Sequence, residues 1–245
     1  MATTPHPETL LNELGVTEPK EIDLEAIAAH LGVEVTYRTL DGCEARIVGR
    51  GSRGRITVDN RVAPTRQRFS IGHELGHWQY HRGAVLYCRS SDIGSEDQQA
   101  IDGERVANWY AANLLMPEYL FRPIASDIRP SWKEIRSVAA QFKVSPLAAA
   151  LRMISLDTHP FWVACYDIQS RRWFRQSDST PKAFPHQELD HRSQAMSALL
   201  SDRDLAARNV SGAVWFSGRD LAAIRFNEDC LVQEKQVFVL LQRAS

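Results

Sequence analysis

The chain has 245 residues, of which 44% are hydrophobic and 24% are charged, so it is long enough to bury one large core or two smaller ones. Its formal net charge is −1, and no overall electrostatic field therefore draws it toward nucleic acid or an anionic membrane. Any contact of that kind would have to come from a local patch of charge.

Four widely separated cysteines, Cys43, Cys88, Cys165 and Cys230, form no CxxC pair, which argues against a zinc ribbon and against a small disulfide scaffold. The N-terminal residues MATTPHPETLLNELGV lack a basic segment followed by an apolar run. No stretch approaches the roughly 20 apolar residues that span a bilayer. We therefore expect a cytoplasmic protein without a membrane segment.

The first third of the chain predicts one helix followed by three short strands. EIDLEAIAAHLG places apolar residues at helical spacing and stops at Gly32, and VEVTY then alternates as a strand does. CEARIVGRG and RGRITVDN are two further alternating segments around Gly51 and Gly54. The pattern indicates a hairpin or a small antiparallel sheet.

Two longer helices are predicted next. PTRQRFSIGHELGHWQYHRG has Pro64 near its first turn and is expected to end at Gly83. Gly72 and Gly76 inside it cost roughly 1 kcal/mol each relative to alanine, so close packing against a neighbour is expected there. GERVANWYAANLLMP then forms an apolar helical stripe that ends at Pro117.

The rest of the chain predicts a helical pair and then strands. SWKEIRSVAAQFKVSPLAAALRMISL, residues 131–156, indicates two short helices around a turn at Lys143, with Ser145 and Pro146 starting the second. FWVACYDIQSRRWFRQS predicts a hairpin, and QVFVLLQR predicts a final strand. We therefore expect an α+β protein in three parts, at residues 1–125, 126–158 and 159–245.

The segment IGHELGHWQYH, residues 71–81, carries the main chemical signal. Helical residues four apart lie on one face, so His73 and His77 can present their imidazoles to one metal ion. Glu74 is turned about 100° around the helix and can reach a water molecule on that ion. This is the arrangement of a zinc hydrolase, in which the metal acidifies the water and the glutamate takes its proton. The alternative is a helix that carries HExxH by accident.

A third ligand must come from elsewhere in the chain. His81 continues the four-residue spacing, but at roughly 1.5 Å per residue it lies about 12 Å along the helix from His73, so we expect a structural or ligand-supporting role for it. Glu104 is the preferred third ligand, because a strongly apolar helix follows it and could dock it against HELGH. Asn108, one turn on, could hydrogen-bond a ligand. The nearby competitors for the third position are Glu96, Asp97 and Asp102.

The blocks RQRFSIGHELGHWQYH and ERVANWYAANLLMP together closely resemble the ImmA/IrrE metallopeptidases, in which RFxxxHExxH is followed downstream by ExxANxFAxxLLMP. The resemblance covers roughly residues 20–156. It implies a zincin-like metallopeptidase domain of the gluzincin type at residues 1–125. In this domain His73, His77 and Glu104 hold zinc and Glu74 is the base. Manganese or another divalent ion also suits such a donor set.

The resemblance also implies a substrate. Members of the family cleave a helix-turn-helix repressor of the Xre type at a limited site, and so derepress stress-response, DNA-repair or mobile-element genes. In the radiation-response branch a helical segment is followed by a domain that resembles a GAF sensor, of which residues 159–245 would be a reduced form. We expect the peptide to lie extended beside an edge strand within residues 33–58.

The alternative function is a DNA-binding regulator that uses residues 131–156 as a helix-turn-helix, with a vestigial or structural metal site. Four basic residues support this alternative: Lys133, Arg136, Lys143 and Arg152. The intact HELGH favours catalysis, because a purely structural zinc site would not need Glu74 beside an open coordination position.

Overall fold

The computed structural model describes residues 6–80 and 98–244. For residues 98–101 it describes the backbone alone. The α-helices in this part of the chain are α1 (Pro7–Glu13), α2 (Leu24–His30), α3 (Pro64–Tyr80), α4 (Gln98–Leu115), α5 (Glu118–Ser126), α6 (Trp132–Phe142), α7 (Pro146–Ser155), α8 (Gln194–Ser201) and α9 (Arg219–Ala222). The strands are β1 (Val33–Arg38), β2 (Ala45–Arg50), β3 (Arg53–Asp59), β4 (Trp162–Tyr166), β5 (Arg171–Gln176), β6 (Leu205–Ser211), β7 (Arg225–Gln233) and β8 (Gln236–Arg243).

The described residues form two compact units. The first contains the residues up to Phe121 together with Ala140–Ser145, and the second contains Arg122–Ala139 together with the residues from Pro146 onward. No described helix combines the length and the apolar character that crossing a bilayer requires. The three-part division at residues 1–125, 126–158 and 159–245 stays a prediction.

The first unit is built on a three-stranded sheet in the order β1-β3-β2. β2 and β3 form an antiparallel hairpin whose turn contains Gly51 at a φ of 61°, a conformation that glycine adopts without steric cost. α3 packs on one face of the sheet, where Ile56 and Val58 are fully buried. Gly49 lies on this face against the ring of Trp78, so the helix and the strands approach closely.

One feature of this sheet differs from the prediction of a small antiparallel sheet. β2 pairs with β3 antiparallel, as expected, but β1 pairs with β3 in parallel. Alternating apolar residues identify a strand without identifying its neighbour or its direction, because both depend on contacts distant in sequence. The hairpin occupies one side of β3, and β1 takes the other side.

The second unit contains a five-stranded antiparallel sheet in the order β5-β4-β8-β7-β6. One face carries a buried cluster that includes Trp162 and Trp215, and α8 packs against this sheet. The indole N–H of Trp132 in α6 donates to the carbonyl oxygens of Asp229 and Phe238, both at 3.1 Å, and this fixes the start of α6 on strands β7 and β8.

The predicted fold class, α+β with a strand-rich C-terminal part, is confirmed. α6 and α7 flank Lys143, whose φ of 53° supplies the turn, and β4, β5 and β8 form at the predicted hairpin and final strand. α1, α5, α8 and α9 were not predicted, because short helices offer too few turns for an apolar period to stand out.

Candidate metal centre

α3 and α4 pack side by side through a seam of small residues. A Cβ atom at Gly76 would lie 2.8 Å from the Cα atom of Ala107, and one at Gly72 would lie 3.3 Å from the Cα atom of Ala111. Later residues of α3 thus contact earlier residues of α4, so the helices run antiparallel. The close packing expected at both glycines is present, and it brings together the side chains that border the seam.

Three of the predicted ligand residues meet beside this seam. The Nε2 atoms of His73 and His77 lie 3.1 Å apart, and they lie 3.3 and 3.1 Å, respectively, from oxygens of the Glu104 carboxylate. One possible ligand atom from each residue falls within 4.8 Å of the other two. The helix pair therefore assembles one group from residues 31 positions apart in the chain.

The chemistry of this group fits a divalent cation. Two imidazole nitrogens and one carboxylate, with a fourth position for water, form the donor set of catalytic zinc sites. Hydrogen bonds to His73 and His77 hold the pKa of Glu104 well below its usual range, so the residue is a carboxylate at neutral pH. A bound divalent cation would balance this negative charge.

The three side chains differ in exposure, and the group is open to solvent on the side of Glu104. The side chain of His77 is 2% exposed, that of His73 is 14% exposed and that of Glu104 is 40% exposed. Burial lowers the pKa of His73, but the hydrogen bond to Glu104 and the charge of Glu74 outweigh it, and the pKa is raised overall. The histidines thus form the floor of the site and Glu104 its rim.

Asn108 is placed to orient one of the histidines. Its Oδ1 atom lies 3.0 Å from Nδ1 of His73. Because an amide oxygen only accepts hydrogen bonds, this contact assigns a ring hydrogen to Nδ1, so Nε2 is the ring atom that can bind a metal ion. The geometry allows the supporting role expected for Asn108.

Glu74 lies on α3 immediately after one of the clustered histidines and is almost fully buried. Burial raises the pKa of the Cys43 thiol, which lies on the chain entering β2, while Arg46 lowers this pKa and the charge of Glu74 raises it. The next residue of that segment, Glu44, accepts hydrogen bonds from Arg66 and from the hydroxyl of Ser70, the latter at 3.4 Å. Residues of α3 thus hold the start of β2 beside the site.

The other residues considered from the sequence have different outcomes. His81, Glu96 and Asp97 lie outside the described residues, and Asp102 is exposed and does not join the clustered group. The sequence did not predict the contact of Glu44 with α3, because a contact between a loop and a helix leaves no periodic pattern that could identify it.

The chain is similar to known proteins of one family. Residues 28–153, just over half of the chain, match the family model of the IrrE N-terminal-like domain, Peptidase_M78. The uncharacterized protein YqaB of Bacillus subtilis is 26% identical over 146 residues, which cover 60% of this chain and 78% of YqaB. The radiation response metalloprotease IrrE of Deinococcus radiodurans is 28% identical over 101 residues, which cover 38% of this chain and 29% of that protein.

A second IrrE, from Deinococcus deserti, is 26% identical over 112 residues, which cover 43% of this chain and 37% of that protein, so the chain matches well under half of either IrrE. Among solved structures, a transcriptional regulator of Mycobacterium tuberculosis has the same fold, with a TM-score of 0.63 at 16% identity over 96% of this chain and 85% of that one. From the family match over residues 28–153, the chain belongs to the ImmA/IrrE family of metallopeptidases.

Proposed function

We propose that this protein is a zinc-dependent endopeptidase of the cytoplasm that cleaves a helix-turn-helix repressor of the Xre type at a limited site. Cleavage would derepress stress-response, DNA-repair or mobile-element genes. The observation that carries the proposal is the convergence of His73, His77 and Glu104 beside the buried Glu74. The family supports the protease activity, whereas the repressor as substrate rests on the resemblance alone.

Each residue of the site has a defined part in this proposal. His73, His77 and Glu104 would hold the cation, with zinc preferred and manganese or another divalent ion possible. When bound, the ion supplies a Lewis acid that lowers the pKa of a water molecule and polarises the peptide carbonyl. Glu74 would accept a proton from the attacking water at its carboxylate and return it to the leaving amide nitrogen. Asn108 would keep His73 in the tautomer that binds metal.

The substrate would lie along β2. This strand is at an edge of the three-stranded sheet, and Glu44, the residue before it, accepts a hydrogen bond from Ser70 of α3, one turn before Glu74. An extended peptide could add to this edge through main-chain hydrogen bonds, which would fix the scissile carbonyl without demanding a particular side chain. Selection of one cleavage site would then depend on how the folded repressor presents its chain.

The test is the Glu74→Gln variant, incubated with purified Xre-type repressors and followed by mass spectrometry of the fragments. We expect cleavage to fall by about 10²–10⁴-fold, the usual contribution of a general base, while the metal content stays that of the unaltered protein. Glu13→Gln makes the same chemical change at an exposed position of α1 and should cleave normally. Continued cleavage by Glu74→Gln would refute the proposed mechanism.

The alternative of DNA readout through residues 131–156 is not favoured by the structure. A recognition helix must present several side chains to a groove, but Ser155 is the one exposed residue of α7. Of the basic residues that suggested this role, Arg152 is buried and Arg136 forms an ion pair with Asp204. The two helices therefore resemble packing elements more than a DNA reader.

A further inference from the structure

The face of the three-stranded sheet that points away from α3 is rich in arginine. Residues that alternate with the buried Ile56 and Val58 point to this face, and register with β3 extends the same face across β1 and β2. Five exposed arginines share it, and we call them the arginine face: Arg38, Arg46, Arg50, Arg53 and Arg55. The whole chain carries a net charge of −1, so this positive charge is local.

Few acids on this face neutralise these arginines. Glu34 binds Arg55 at 2.8 Å, and Asp59 binds Arg61, which lies outside the arginine face, at 2.6 Å. Within residues 6–80 and 98–244, the other four arginines of the face form no ion pair. The face therefore presents four guanidinium groups that have no ion-pair partner in the part of the chain that the structure describes.

Two of these arginines are placed where they oppose stability. Arg50 and Arg53 are directly opposite each other at the tip of the β2–β3 hairpin, next to the turn that contains Gly51. Like charges at directly opposed positions of an antiparallel pair destabilise it. Such an arrangement is a cost to the fold that binding of an anion would reverse.

We propose that the arginine face binds the phosphate backbone of double-stranded DNA. On β2, Arg46 and Arg50 are four residues apart, or about 13 Å at roughly 3.3 Å per residue, so the charge is spread along a ribbon rather than gathered in a pocket. Four of the five arginines lie on the β2–β3 hairpin, and guanidinium groups bind phosphate in bidentate geometry.

The composition of the face favours a duplex over other polyanions. Its remaining members in the described strands are Glu34, Thr36, Val48, Thr57 and Asp59, and none of them is aromatic. Single-stranded DNA is held largely by stacking of bases on aromatic side chains, and an acidic protein segment would need apolar anchors that Val48 alone does not supply. Contacts to phosphate need neither.

The inference extends the proposed function, because it would place the peptidase on the DNA to which its substrate is bound. An Xre-type repressor would be met on its operator, and an affinity for DNA backbone independent of sequence would concentrate the peptidase there. The biological purpose rests on the proposed function, but binding itself does not, because none of the arginines belongs to the candidate metal centre.

The test is fluorescence anisotropy of the 245-residue chain with a labelled 30-base-pair duplex of arbitrary sequence, titrated from about 50 to 200 mM salt. For Arg50→Ala/Arg53→Ala we expect affinity at low salt to fall roughly tenfold and the slope of log K against log salt to fall by about 2. Arg203→Ala/Arg219→Ala, which removes two exposed arginines from the second unit, is the matched control and should bind as the unaltered chain does.

Arg50→Lys/Arg53→Lys should keep most of the affinity, since the ammonium group binds phosphate as a point charge. The thermal midpoint of the alanine pair should be equal to or above that of the unaltered chain, which excludes loss of binding through unfolding.

Four outcomes would overturn the proposal: no binding of duplex by the unaltered chain, equal loss in both alanine pairs, no loss in the Arg50 and Arg53 pair, or tighter binding of the single strand of the same length. Measuring the Glu74→Gln variant in parallel separates the two proposals. It should bind DNA normally, so a failure of DNA binding and a failure of cleavage are seen independently.

Discussion

Both units of the molecule hold acidic side chains beside a helix, but the neighbours of those side chains differ. In the second unit the buried Glu228 accepts hydrogen bonds from the Ser193 hydroxyl at 2.8 Å and from the Ala195 amide at 2.7 Å, at the start of α8. In the first unit Glu104 meets the Nε2 atoms of His73 and His77 instead. One oxygen of Glu228 thus accepts from donors at the N-terminus of a helix, whereas the Glu104 carboxylate lies beside two imidazole nitrogens, and two imidazoles with one carboxylate form a donor set that favours a cation. The kind of neighbour thus separates a structural acid from a candidate ligand.

The largest effect should come from replacing the two acids that are compared, Glu104 and Glu228. We expect about one zinc per chain by elemental analysis, lost in Glu104→Ala and in His77→Ala, since each removes one of three protein ligands. Glu228→Gln should keep its zinc but lower the free energy of unfolding by about 1–3 kcal/mol, because it weakens a buried hydrogen-bonded group. Zinc retained after loss of Glu104 would move the third ligand elsewhere.

Asn108→Ala tests the candidate metal centre of the first unit through its metal affinity. Without the amide oxygen, the ring of His73 is free to rotate and to change tautomer, so we expect metal affinity to fall about 10–100-fold in competition with a chelator. Asn108→Asp keeps an acceptor for Nδ1–H and should recover most of the affinity. Asn12→Ala, at an exposed position of α1, is the control, and an equal loss there would contradict the role of Asn108.

The glycine seam gives a third test. Gly76→Ala would place a methyl group 2.8 Å from the Cα atom of Ala107, and we expect it to destabilise the fold by about 1–3 kcal/mol and to weaken metal binding as α4 shifts. Gly72→Ala, at 3.3 Å from the Cα atom of Ala111, should cost less, because improved helix propensity of about 1 kcal/mol offsets it.

In the second unit Gly218→Ala meets open space and should change the thermal midpoint little. Equal thermal midpoints for all three glycine variants would show that the seam does not set the separation of the helices.

The smallest effect concerns pH, where one acid from each unit should act in opposite directions. Hydrogen bonds from Arg61 lower the pKa of Asp59 to about 2, so its stabilisation is present above pH 3.8 and is lost as the pH falls toward 2. Burial raises the pKa of Asp229 above 3.8, so its ionised form disfavours the folded state at neutral pH, and acidification relieves this.

Thermal melts of the two asparagine variants measure these signs. Asp59→Asn should lower the midpoint at pH 7 and have little effect near pH 2, whereas Asp229→Asn should leave the midpoint at pH 7 unchanged or raise it. A lower midpoint for Asp229→Asn at pH 7 alone would reverse the expected sign for that residue.

The sequence predicted the helix that carries HELGH, the need for close packing at Gly72 and Gly76, and Glu104 as the preferred third ligand. The first two predictions are confirmed, because they depend on helical periodicity and on the steric demands of glycine, both of which are local. The structure brings Glu104 beside His73 and His77, but its role as a metal ligand stays a prediction. The parallel pairing of β1 and the contact of Glu44 with α3 could not be predicted, because they join segments with no shared pattern. The arginine face was equally hidden, since its members become one surface only when the register of three strands is known.

The glycine seam has a consequence for how such proteins can diversify. The contact between α3 and α4 at the glycine seam holds His73 and Glu104 together. The entropy of closing a connection grows slowly, at about 0.6 kcal/mol for each doubling of its length. Insertions after α3 should therefore be tolerated, and the connection can acquire new sequence during evolution while the candidate metal centre keeps its geometry.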